Sequence, residues 1–126
     1  MGICNSLIDS QKDLGPLTQY IIVRSDLPTG MIAAQVAHAA GAGSIRHPKD
    51  VHVVVLSVPS ERVLRQTYCR LVDVGLTPTL VEESDHPYTL QAMSIGLELV
   101  RDRSVVNMVL SSLPLLRGTT VEAPYK

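Results

Sequence analysis

The chain contains no tryptophan and no phenylalanine, and only four tyrosines. Its core must therefore be aliphatic, and 45% hydrophobic residues in a chain of 126 are enough to build one without disulfides or metal. Cysteine is equally scarce. Cys4 and Cys69 form neither a disulfide framework nor a metal spacing. A single bridge between them is the alternative to a reduced, cytoplasmic protein, which is the expectation. No apolar run approaches the roughly 20 residues of a membrane span; the longest surrounds "VHVVVLSV". The start lacks the basic and apolar pattern of a secretory signal. Basic excess is missing too, with 11 Lys and Arg against 12 Asp and Glu and a net charge of −1. That is poor equipment for a general nucleic-acid binder, whose affinity leans on phosphate neutralisation. Lysine stands only at positions 12, 49 and 126, so any cationic surface has to come from arginines. His38, His47, His52 and His86 are scattered without ligand spacing, so neither zinc nor another cofactor is expected.

What remains is patterned. "TQYIIVR" (Thr18–Arg24) reads as a buried strand and "VHVVVLS" (51–57) as a second. Between them Pro28, Thr29 and Gly30 punctuate the chain, and an alanine-rich helix runs over 30–42, ended by Gly41 and Gly43. Ser60 is placed to cap the next helix, with Glu61 at its positive end and Gly75 closing it. Val63, Leu64, Thr67, Tyr68, Leu71 and Val72 make its apolar stripe, while Arg62, Arg65, Arg70 and Asp73 face water. Strands follow at 77–83 and 92–99, separated by the polar loop "SDHPYTLQ", and Ser104 caps a last helix over 105–113.

The order β-α-β-α-β-β-α predicts a three-layer α/β single domain over 18–117, with a four-stranded mixed sheet. Each helix crossover joins parallel strands, and the short third connection turns the fourth strand antiparallel. Residues 1–17 read as a polar, flexible leader and 118–126 as a tail without periodicity. The leader's "MGICNS" fits N-myristoylation at Gly2, with Cys4 placed for a palmitoyl chain. An unmodified leader is the alternative.

Chemistry concentrates in "SDLPTGMIAAQVAHAAGAG". Its alanines let a helix press close to a sheet, but they do not account for Gln35 and His38, three apart and on one face. Backbone N–H groups near Gly30 and Met31 make a natural site for a phosphate or an oxyanion. Such a turn at the carboxyl end of a strand is where open α/β folds bind ligands. Further on, "EESD" (82–85) gathers three carboxylates beside His86. Either this is a solvated hairpin tip, or Glu83 points into the same cleft as His38. Crowded carboxylates raise one another's pKa, which suits a proton acceptor or donor.

"VRSDLPTGMIAAQVAHAA" resembles the signature of the type II (archaeal and eukaryotic) peptidyl-tRNA hydrolases. That signature is an Arg-x-Asp-Leu turn, a Gly/Lys-rich loop and a helix containing Ala-Ala-Gln-x-x-His-Ala. The resemblance continues in order through "VPSERVLRQTYCRLVDVGLTPTLVEE" and "QAMSIGLEL", so it covers 19–116. The shortened loops look more like the divergent peptidyl-tRNA-hydrolase-domain-containing branch. The resemblance implies a four-stranded mixed sheet, tRNA as partner, and hydrolysis of the ester joining a peptide to the 3′-terminal ribose. It implies catalytic roles for His38, Glu83, Gln35, Asp26 and Thr89, with Glu83 standing where the family usually has an Asp. Arg24, Gly30 and Met31 fall at substrate-binding positions.

This chain departs from the family's pattern in several places, and the loop before the helix is about two residues short. The active-site Lys is missing, Met31 occupies roughly its place, and no Lys lies between 12 and 49. The family's Asp-Ala-Gly loop is replaced by "ESDHPYT". Two other readings stay open: a non-catalytic RNA- or protein-binding module on the same fold, and a small-molecule hydrolase or transferase using the same cleft. An arginine patch flanking the cleft around Arg24, Arg46 and Arg103 would favour tRNA, and scattered arginines the others. A homodimer is compatible with each.

Overall fold

The computed structural model describes residues 15–117; the motif at Gly2 and Cys4 and the tail from Gly118 lie outside the described residues. Seven elements follow in chain order: β1 (Thr18–Arg24), α1 (Thr29–Gly43), β2 (His52–Val58), α2 (Glu61–Asp73), β3 (Thr79–Glu82), β4 (Ala92–Gly96) and α3 (Ser104–Leu110). The sheet is four-stranded and mixed, in the order β2-β1-β4-β3. β1 runs parallel to β2 and antiparallel to β4, which is antiparallel to β3. β3 therefore points the same way as β1 and β2. Among the described residues no helix is long and apolar enough to cross a membrane.

β1 lies between two strands, and all of its residues are buried. Its side chains alternate between the faces of the sheet. Tyr20 and Ile22 enter an aliphatic core with Leu56 and Val58 of β2, Leu64 and Leu71 of α2, and Val106 and Val109 of α3. Gln19 turns to the opposite face, where its amide donates to the carbonyls of Ala40, in α1, and Leu97, at 3.0 Å each. So α2 and α3 cover one face and α1 the other. β2 is an outer strand, and the segment after α3 shields its edge, with Ser57 N–H donating to Pro114 and Leu116 N–H to Val55.

α2 has the ends that its sequence predicts. The Ser60 hydroxyl accepts the Val63 N–H at 3.3 Å. At the other end Gly75 takes φ +93°, and the N–H groups of Gly75 and Leu76 return to the carbonyls of Val72 and Leu71. That is a Schellman closure. Leu64, Thr67 and Leu71 are buried as expected, but Val72 is 46% exposed and lies outside the stripe. The cap of α3 also differs from expectation. Ser104 is the first helical residue, and Asp102 accepts both its N–H, at 3.0 Å, and its hydroxyl, at 2.7 Å. A carboxylate two residues upstream turns back on its own chain more readily than a hydroxyl does.

α1 is held differently. Only Gln35 and Ala39 of its residues are buried. A Cβ placed on Gly96 would come 2.0 Å from the Ala39 carbonyl oxygen, and one on Gly43 2.7 Å from Gly96 and Leu97 backbone atoms. Helix backbone thus lies directly on strand backbone, which only residues without a side chain allow. The Ser94 hydroxyl adds a bond to the Gln35 carbonyl at 3.0 Å. This contact explains Ala39 and Gly43 but not Ala33, Ala34 and Ala37, which are exposed, and it carries Gln35 to the carboxyl edge of the sheet.

Candidate functional site

Two polar clusters meet at that edge, where β1 and β3 end, β4 begins, and α1 and α2 start. Strand alternation sorts them. Leu80 packs with the core on the α2 face, so Glu82 faces α2 and Glu83 faces α1. Glu82 accordingly receives Arg65 Nη2 of α2 at 3.0 Å, and Glu83 Oε2 receives Gln35 Nε2 of α1 at 3.5 Å. A β-bulge opposite Glu82, with Met93 as the extra residue, lets Ala92 and Ile95 share the α2 face despite their odd spacing.

In the first cluster the Arg24 guanidinium forms a two-pronged pair with Asp26, Nε to Oδ1 and Nη2 to Oδ2, both at 2.9 Å. Nη1 donates to the Gln91 side chain at 2.8 Å and to the Ala92 carbonyl at 3.2 Å, and Arg24 Cζ lies 5.9 Å from the Tyr88 ring. Arg24 is 6% exposed, so it orders this turn from inside rather than offering a free cation. Its hydrogen bond, opposed by partial burial and reinforced by charge, holds the Asp26 carboxyl below the usual range. The same bond raises Arg24. Asp26 stays ionised through the neutral range.

In the second cluster Glu83 Oε1 accepts the N–H groups of Ser84 at 2.9 Å and Asp85 at 3.4 Å, while Oε2 faces the Gln35 amide. Gln35 is 3% exposed, and among the described residues its buried Oε1 has no hydrogen-bond partner. A buried amide oxygen left without a donor is uncommon and costly. Gln91 links the clusters: Arg24 holds its side chain, and its carbonyl accepts the Glu83 N–H at 3.0 Å.

The remaining expected residues surround these clusters. His38 is exposed on α1, three residues beyond Gln35, and among the described residues no hydrogen bond or ion pair joins it to Glu83. Thr89 is exposed in the loop. Gly30 is exposed and Met31 half-buried in the first turn of α1, which has no side-chain cap.

Sequence reading missed Gln91, Tyr88, Glu61 and Arg65. Arg65 bonds Glu61 at 3.1 Å as well as Glu82 and the Leu90 carbonyl at 3.0 Å each. Glu61 also accepts the Ala92 N–H at 2.9 Å, and that bond, with Arg65, lowers its pKa. Apart from the Glu61–Arg65 pair, four positions apart on one helix face, these partners are 17 to 67 positions apart, so no local pattern announces them.

The arginines proposed as a patch are dispersed. Arg24 is buried, Arg46 follows the far end of α1, and Arg103 donates to the Tyr20 hydroxyl while lying over that ring. An open concavity of about 750 Å³ lies instead on the outer face of α2, lined by Glu61, Arg62, Arg65, Gln66, Cys69 and Arg70. No cluster of three or more His, Cys, Asp or Glu able to hold a metal occurs among the described residues. Comparison of the sequence with protein-family models and with curated proteins finds no match.

Proposed function

We propose that this chain is a hydrolase of the peptidyl-tRNA hydrolase type, cleaving the ester between a peptide and the 3′ end of tRNA in the cytoplasm. In this reading its α/β domain is a three-layer, type II-like member of that fold. One observation carries the reading. Gln35 and Glu83, 48 positions apart, meet at the carboxyl edge of the sheet, and the second amide atom, Gln35 Oε1, is buried without a partner among the described residues. With the amide turned end for end, Gln35 sets an acceptor beside the Glu83 carboxylate, and a water molecule there offers one hydrogen to each.

Glu83 takes a proton from that water as its oxygen attacks the ester carbon. The N–H groups of Gly30 and Met31 open the helix that carries Gln35 and receive the developing oxyanion. Collapse expels the ribose 3′-oxygen, which recovers the proton. Asp26, kept ionised by Arg24, and exposed His38 and Thr89 are left to position the RNA end. With Met31 in place of a lysine the oxyanion loses about 2–4 kcal/mol of stabilisation, by analogy with lost oxyanion-hole donors. The enzyme is therefore expected to be slow.

The test is release of N-acetyl-amino acid from N-acetyl-aminoacyl-tRNA. Glu83→Gln should lower release at least about 100-fold with an unchanged melting temperature, and Met31→Lys should raise it. No release by the wild-type chain above a buffer control overturns the hydrolase reading. The dispersed arginines count against tRNA and favour a second reading, a non-catalytic RNA- or protein-binding module; neither turnover nor retention of tRNA would point to its protein-binding form.

A further inference from the structure

Leu90 is unusual in both backbone and side chain. It is 75% exposed, and its φ of +67° makes it the single non-glycine residue with positive φ among those described. It is the third residue of the turn 88–91, closed by the Gln91 N–H donating to the Tyr88 carbonyl at 2.9 Å. With positive φ at its third residue alone, this is the type II pattern, which favours glycine there. Leucine at that point strains the backbone and faces water with an apolar side chain. Both costs would vanish with glycine, so folding supplies no reason for the residue.

Nor is Leu90 a frayed tip. Its N–H donates to the Glu83 carbonyl at 2.8 Å, and its own carbonyl accepts Arg65 Nη2 at 3.0 Å. Arg65 is itself fixed between Glu61 and Glu82. A large apolar side chain is thus held in a strained position one hydrogen bond from the backbone of Glu83. We infer that Leu90 is a specificity-determining contact for the acyl half of the substrate, receiving the apolar side chain of the amino acid esterified to the RNA.

The inference rests on the hydrolase reading and follows from its geometry. The carbon attacked at Glu83 bears the amino-acid side chain on its neighbouring atom, and Leu90 is tied to Glu83 by the hydrogen bond between their backbones. A strained exposed leucine that serves only the fold would be improved by glycine with no functional consequence. One that serves the substrate would be improved in stability and impaired in selectivity.

The experiment compares wild type, Leu90→Gly and Leu90→Met on N-acetyl-leucyl-, N-acetyl-phenylalanyl- and N-acetyl-glycyl-tRNA, with thermal unfolding alongside. Leu90→Gly should unfold at a higher temperature, while its kcat/KM ratio for leucyl and phenylalanyl over glycyl substrate falls about tenfold, the low end for apolar contacts. The loss should appear in KM, and Leu90→Met should restore the ratio. An equal loss on all three substrates, no loss, or a lower unfolding temperature for Leu90→Gly overturns the inference while leaving the hydrolase reading intact. A wild-type chain that releases none of the three overturns that reading, and the inference with it.

Discussion

The two long helices cover opposite faces of one sheet by different means. α2 buries Leu64, Thr67 and Leu71 in an aliphatic core, with a hydroxyl cap at its start and a glycine closure at its end. α1 buries an alanine and a glutamine, has no side-chain cap, and rests on β4 backbone to backbone. Side-chain packing tolerates adjustment, because neighbouring rotamers can relax around a change. Backbone contact does not, since neither surface has a flexible atom to move. The helix that carries the candidate site is the one with the least freedom to shift, which suits residues that must be held in fixed geometry.

Gly96→Ala should break the comparison most severely. Its Cβ would lie 2.0 Å from the Ala39 carbonyl oxygen, so α1 must lift from the sheet. The expected loss is about 3 kcal/mol or more, read by urea denaturation. A loss below about 1 kcal/mol would mean that backbone contact is not what holds α1.

On the other face, Leu71→Ala should cost about 3 kcal/mol through the cavity it leaves. Leu71 is fully buried, at 0% exposure. The variant should still fold cooperatively and, under the proposed hydrolase reading, keep its activity on tRNA esters below the new melting temperature. If hydrolysis falls in step with stability, the two faces are coupled and the contrast between them is false.

Gln35→Leu should have the smallest effect on stability. It removes the unpartnered oxygen and only a long 3.5 Å contact to Glu83. The net change should lie within about 1 kcal/mol, toward greater stability, because a buried acceptor without a donor is costly. Under the proposed hydrolase reading, release from a tRNA ester should fall sharply in the same variant. A destabilisation of several kcal/mol, measured by the same denaturation, would instead make the Gln35–Glu83 pair a structural tie.

Much of this was legible before any fold was known. The apolar stripe and turn chemistry of α2 placed it within a residue or so, and the β-branched run of β1 marked a strand covered on both faces. The stretch around Gln35 announced itself by an amide and an imidazole among alanines. Illegible were Gln91 and Arg65, whose partners belong to other elements, and the length of β4, which ends at Gly96 where the helix backbone presses on it. The arginines were visible one by one, but their burial and dispersal were not.

Local chemistry in the sequence determined the order of the elements, their orientation in the sheet and an aliphatic core, because periodicity, caps and turn residues act over a few positions. Only the tertiary structure decided which acid of the Glu82–Glu83 pair meets α1. A strand sends neighbouring side chains to opposite faces, and the bulge and pairing that fix the register involve a strand ten residues further on. It likewise decided that Arg24 is enclosed and that Leu90 is strained and exposed beside Glu83. Those are outcomes of contacts across the sheet, whose partners are close in space and distant in sequence.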